Sequence, residues 1–408
     1  MKTSRVALSI VLALAAGALA QTDPGPRGGP PAGPPSGPPQ LPRPLPGLSP
    51  AEWTAFQNGG QAFGEIENVP DGPVPRLNLD SCAGCHAHPT PGGSSPPLNP
   101  QVAVAVRNGA VNAVPPFIQQ DGPVRVVRFK QGPNGPDGGV HDLFAITGRN
   151  DALAGCQIQQ PDFSNANNLS FRIPAPTFGL GLIEVVPDST LRANLAANAI
   201  LKRQLGIEGR FNTSANDGTI TRFRWKAQTK SLLLFAGEAY NVEMGVSNEL
   251  FPQGREDNPA CATTPSPDSG AGLAAGAFSD IGNQAYFTRF LAPPQPAPGD
   301  ASIDNGRALF AQVGCALCHT PSLPTGNASS AALRQQAVDL YSDLALHRMG
   351  QSLNDGITQG AAQGRTGAQR PSGASATGCF CCTTAARRIC CRRSSSTTVR
   401  GRRPTEQS

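Results

Sequence analysis

Cys82-Ala83-Gly84-Cys85-His86 and Cys315-Ala316-Leu317-Cys318-His319 repeat one pattern, C-x-x-C-H, more than 200 residues apart. No other feature constrains the fold as strongly. Two thiols separated by two residues on a turn of helix can each add to one vinyl group of the same porphyrin. The adjacent histidine is then held beneath the ring as the proximal iron ligand. A single zinc ion built from both cysteine pairs would leave His86 and His319 unexplained, and a thioredoxin-like redox pair would need a βαβ context. The expectation is two covalently bound haem c groups, tethered by Cys82/Cys85 and Cys315/Cys318, with His86 and His319 as iron ligands.

The stretch ahead of the second motif points the same way. Gly306, Phe310 and Gly314 give G-x-x-x-F-x-x-x-G-C-x-x-C-H. This resembles the N-terminal helix of a cytochrome c domain, with Phe310 packing toward the haem edge. The pool of distal ligands is small. The chain has 5 His and 3 Met, and His88 follows His86 too closely to reach over the ring. His141, Met244, His347 and Met349 remain as candidates, each of which also reads as core or loop filler. A Met ligand would raise the reduction potential relative to His, and an open position would admit peroxide.

The two ends of the chain are unlike the rest. Lys2 and Arg5, an apolar run from Val6 to Leu19 and the small-x-small site Ala18-Leu19-Ala20 read as a signal peptide cleaved after Ala20. The apolar run is short for a bilayer span, so no stable membrane anchor is expected after cleavage. Export to a periplasm, or secretion, follows; there cysteines may pair or carry cofactors. Residues 21–50 are a Pro/Gly-rich tether. The net charge of +5 comes from the other end, where seven arginines lie between Arg387 and Arg403. Without them the balance is near neutral or slightly acidic, so no nucleic-acid partner is expected.

With 46 Gly and 41 Pro, the chain should form long loops around a modest core. Ser49 and Glu52 form a capping box ahead of a helix carrying Trp53, Phe56 and Phe63. Residues 124–129 read as a strand, 188–205 as one helix, 210–225 as a hairpin turning at Asp217-Gly218, and 231–246 as a buried helix. The expected fold is mainly α. A first haem c domain would cover 51–123, a mixed α/β insert 124–299, and a truncated second cytochrome-c-like domain 300–364. Cys156 and Cys261 most simply pair across a long loop, with free buried thiols as the alternative.

These features together resemble the bacterial di-haem oxidoreductases, in the broad di-haem cytochrome c peroxidase and MauG-like group. SCAGCHAHP, GGVHDLFAITGR, RWKAQTKSLLLFAGEAYNVEMGVSNELFP, GRALFAQVGCALCHTP and YSDLALHRMG carry the resemblance, over roughly residues 50–362. It implies two haem domains facing each other, one haem taking electrons and the other meeting peroxide or an organic substrate. The donor would be a soluble small cytochrome or cupredoxin. A peroxidase also needs an acid or base beside the open iron, and Glu238 and Glu243, flanking Tyr240, are the candidates. Two other readings stay open: a non-catalytic di-haem electron carrier, and a non-functional truncated product.

The last of these comes from CFCCTTAARRICC (379–391), where the family's pattern stops. Joining the last base of each codon to the first two of the next turns Phe380-Cys381, Cys381-Cys382 and Cys390-Cys391 into Leu in every case. From about Ala368 the shifted frame can read RTAPLWGVG, two residues, then LFLLHDGRT. Residues 365–408 therefore read as an out-of-frame tail, and the cysteine cluster as the shadow of a leucine-rich motif rather than a metal site or disulfide knot.

Overall fold

The chain is described here by a computed structural model, covering residues 42–368 apart from 73–75, 133–134, 137–139, 142, 253–257, 262–267, 269–276, 295–299, 352–353 and 365. The leader, most of the Pro/Gly-rich stretch and the cysteine-rich tail lie outside the described residues. Nine α-helices occur among those residues: α1 (Pro50–Gly64), α2 (Cys82–Cys85), α3 (Gln101–Val104), α4 (Leu180–Glu184), α5 (Asp188–Ala196), α6 (Ala199–Gln204), α7 (Leu232–Met244), α8 (Asp280–Phe290) and α9 (Ala301–Gln312). None is long and apolar enough to cross a membrane.

The helices start where side chains satisfy their free N–H groups. Ser49 Oγ accepts from Glu52 N while Glu52 takes the Ser49 N–H, so the expected capping box begins α1. Ser231 caps α7, and Gly245, at φ 78°, ends it. The single helix expected over 188–205 is two. Ala197 turns extended and Asn198 adopts φ 57°, a left-handed conformation that Asn tolerates. The Asp217-Gly218 turn forms, closed by Ser214 N on Thr219 O at 2.8 Å, but its arms hold only isolated bridges such as Thr213 to Ile220.

The strands are short. Eight of them form three antiparallel groups: β1 (Arg76–Leu77), β2 (Val126–Phe129), β3 (Val140–His141), β4 (Phe144–Ala145), β5 (Leu169–Arg172), β6 (Gly209–Arg210), β7 (Leu346–Arg348) and β8 (Thr366–Ala368). β1 pairs β4, with Leu77 opposite Phe144. β2 lies between β3 and β5, with Val127 opposite His141 and Phe171. β7 lies between β6 and β8, with Leu346 opposite Arg210 and Ala368. Helices outweigh strands among the described residues, and they share the principal core with the loops between them.

That core is drawn from all three expected stretches. It joins Phe56 and Phe63 to Phe178, Leu191, Ile220, Leu232, Tyr240, Met244, Ile281 and Phe287, and on to Leu323, Leu333, Leu340 and Leu344. The stretches expected as separate units therefore share one hydrophobic interior. A second cluster gathers Leu79, Val104, Val127, Leu143, Phe144 and Leu169 around the β2 sheet. Cys156 and Cys261 are disulfide-bonded, 4.6 Å apart at Cα, in a third cluster with Val69, Leu77 and Ile146.

α1 and α8 form the closest helix pair. Phe287 stacks on Phe56 at 5.2 Å and meets Phe63 at 4.8 Å between ring centroids. A Cβ on Gly59 would lie 2.2 Å from the Asn283 carbonyl oxygen and 2.9 Å from Phe287 Cβ. A backbone oxygen cannot step aside. Gly59→Ala is therefore expected to push the helices apart and cost about 3 kcal/mol, the upper range for overpacking a core, as read from the urea midpoint.

Candidate functional site

The first C-x-x-C-H motif sits where the two main clusters meet. Cys82 and Ala83 pack against the helical core, and Cys85 against the second cluster. The four residues Cys82–Cys85 form α2, a single turn. His86 follows it with Nδ1 3.0 Å from the Gly93 carbonyl oxygen and its ring 6.2 Å from that of Phe63. That hydrogen bond puts the proton on Nδ1 and the lone pair on Nε2, the form in which imidazole binds a metal. Gly93 is itself confined, since a Cβ there would meet the His88 carbonyl oxygen at 2.0 Å.

α7 supplies the facing wall. Tyr240, Glu243 and Met244 are spaced i, i+3, i+4 and so share one face. Met244 Sδ is 3.6 Å from Cys82 Sγ. Glu243 accepts from Asn78 Nδ2 at 2.9 Å and is the acid that presses most on the Cys85 thiol. Burial pushes the Cys82 thiol up to about 12 and raises Cys85 well above its ordinary value. Glu238 turns away instead, paired with Arg224 Nε at 3.0 Å and accepting from Thr229. Of the two carboxylates expected near an iron, only Glu243 reaches the motif. The α-helical phase explains the correction, because two residues back from Tyr240 is the opposite side.

Glu67 was not foreseen. It is 4% exposed and accepts the Tyr240 hydroxyl, whose ring is 1% exposed. Burial raises its pKa to about 7 against the opposing Tyr240 hydrogen bond, helped by the charges of Glu65, Asp280 and Asp71. The carboxyl oxygens of Glu65, Glu67 and Asp280 lie within 4.8 Å of one another.

The second motif is arranged alike but lies open. His319 Nδ1 is 3.2 Å from the Tyr341 carbonyl oxygen. Phe310 lies edge-on to His319 at 6.2 Å and to Tyr341 at 5.6 Å, on the haem-motif side of α9 as expected. No residue of α9 is buried, Cys315 is exposed, and Leu309 and Val313 are 43% and 69% exposed. A cavity of about 130 Å³ is lined by Lys202, Arg203, Ile207, Asp343 and His347, and by no residue of the motif. Asp343 and Lys202 both act on the ionisation of Cys318.

The distal candidates fare differently. His141 lies in β3, with its side chain outside the described residues. Met349 is 48% exposed. His347 has both ring nitrogens committed, Nδ1 to the Glu208 carbonyl oxygen at 2.9 Å and Nε2 to both Asp343 oxygens at 3.0 Å. With partners on both sides, both ring nitrogens are already engaged, which does not suit an iron ligand. Burial pushes its pKa down, but the Asp343 hydrogen bond and charge outweigh burial and hold it above the ordinary value. His347→Ala should remove a hydrogen-bonded partner of the buried Asp343, 0% exposed, and cost about 3 kcal/mol. The visible bands of the haem-loaded protein should stay in place, which separates this role from iron ligation.

Each histidine thus carries a backbone carbonyl on Nδ1 and stands beside two thiols outside any disulfide. The donor set fits a c-type haem at both places. A family model described as "Di-haem oxidoreductase, putative peroxidase" matches residues 141–379. The matched stretch contains the second motif, begins after the first, and ends at Cys379, where the cysteine-rich tail starts. No curated protein and no solved structure matches the chain.

Proposed function

The chain belongs to the di-haem oxidoreductase family, and from that premise we propose that it is a periplasmic oxidoreductase with two covalent haem c groups, passing electrons from a soluble donor to peroxide. The observation that carries the reading is the repeated C-x-x-C-H, each histidine oriented through Nδ1 by a backbone carbonyl. When bound, the haems supply one-electron chemistry at iron and, at one of them, reduction of an O–O bond.

The residues divide the labour between the two centres. Cys82/Cys85 and Cys315/Cys318 tether the groups, and His86 and His319 hold the irons. The open second motif is the entry for electrons, because a small cytochrome or cupredoxin must bring its own metal close to it. The first motif, packed against both hydrophobic clusters, is the place for peroxide, where a nearby acid can act. Glu243 is the group to hold and deliver the proton there, positioned by Asn78. The Cys156–Cys261 disulfide supports an oxidising compartment, as does the leader sequence.

The test is made on protein from its native host. Two haems should stay on the chain after acid–acetone extraction, counted by intact mass, and peroxide should be consumed at the expense of a reduced donor. Glu243→Gln should lower that turnover by about a hundredfold, the lower range for losing a general acid, with haem content unchanged. A chain that releases its haem, or carries none, overturns the reading. Two retained haems with no peroxide turnover would leave an electron carrier.

A further inference from the structure

Glu67 and Tyr240 form a buried carboxyl–phenol pair to which the reaction above gives no part. The two residues are far apart in sequence, yet the phenol donates to the Glu67 carboxylate. Both lie close enough to Cys82 for the charge of each to act on the others. Met244, one turn after Tyr240 on α7, touches the same sulfur. A haem held by Cys82 would therefore lie within electrostatic reach of a phenol that already carries a proton acceptor.

We propose that Tyr240 is redox-active, returning one electron to the first haem centre after peroxide has oxidised it and passing its phenolic proton to Glu67. The inference rests on the function proposed above. Hydrogen peroxide takes two electrons from the centre as its O–O bond breaks, and with two protons leaves as water. Tyr240 then gives one electron back. Its O–H bond breaks, the proton adds to the Glu67 carboxylate, and a neutral phenoxyl radical and a neutral carboxylic acid remain. The second oxidising equivalent stays at the centre for the donor.

The geometry suits this chemistry for a physical reason. A phenol stripped of an electron without losing its proton would leave a cation in a site closed to water, which is costly. The hydrogen bond removes that obstacle, because the proton needs to move only from one oxygen to the other. The acids facing Glu67 are Glu65, Asp71 and Asp280, and with burial they hold it near about 7. The carboxylate that must take the proton therefore becomes available as pH rises through neutrality, and radical yield should rise with it.

The experiment is freeze-quench electron paramagnetic resonance of the haem-loaded protein mixed with hydrogen peroxide. The expected result is an organic radical whose hyperfine pattern collapses when ring-deuterated tyrosine is incorporated. The signal should be lost in Tyr240→Phe while the peroxide-induced change in the haem spectrum persists. It should also be lost in Glu67→Gln, which keeps an acceptor oxygen but cannot take the proton, and return in part in Glu67→Asp. The same radical in Tyr240→Phe, or a responding haem with no tyrosyl signal, overturns the proposal. If peroxide leaves the haem spectrum unchanged, the peroxidase reading fails instead. Flash oxidation of the same centre with a ruthenium photosensitiser and quencher then decides on Tyr240 alone, by the presence or absence of its radical.

Discussion

Replacing Cys82 and Cys85 together by alanine is expected to remove one haem per chain and most of the body's resistance to unfolding. Replacing Cys315 and Cys318 should remove the other haem and leave that resistance nearly intact. The asymmetry follows from packing. The first motif touches both principal hydrophobic clusters, so a haem held there would join them. The second follows α9, and its residues join none of the hydrophobic clusters. A ligand at about a thousand times its dissociation constant stabilises a fold by about 4 kcal/mol, and a covalently held group at a core junction should contribute at least that much. Intact mass gives the haem count and thermal melting gives the stability. Equal melting of the two double variants would show that the first centre does not hold the clusters together.

Loss of the Cys156–Cys261 disulfide should have the next largest effect. The bond spans 105 residues, and closing a loop of that length restricts the unfolded chain by about 4 to 5 kcal/mol. Cys156→Ala with Cys261→Ala should therefore melt roughly 10 °C below the parent. Both cysteines are almost inaccessible, at 3% and 0% exposure. Reductant should leave the folded parent unchanged and act only once it unfolds. A parent that loses stability in reductant without unfolding first would show the bond to be reachable in the native state.

What the sequence could reveal was decided mostly by distance along the chain. Both haem motifs, the Ser49–Glu52 box and the ends of α7 are local patterns, and local physics determines them. The disulfide followed by elimination, because two cysteines were left over. The carbonyls that orient His86 and His319 belong to Gly93 and Tyr341, 7 and 22 residues on, and a backbone oxygen leaves no mark in a sequence. Glu67 meets Tyr240 across 173 residues, a contact that only the packed core creates. The choice between Glu238 and Glu243 was legible in principle, since helical phase puts Glu243 with Tyr240 and Glu238 behind it. The break at Asn198 was not, because Ala and Leu on either side favour helix and tertiary packing overrode them.

The packing of the first motif against both clusters would also bear on the order of events. A thiol adds to a vinyl group only while it can be reached and can ionise. In the folded chain Cys82 is held near about 12 and Cys85 lies well above its usual value, whereas Cys315 stays exposed. On the proposed function, a haem at the first motif would be attached more readily while the chain is still open than after it has packed. The second motif would be less constrained: burial raises the Cys318 thiol there, but Cys315 stays exposed.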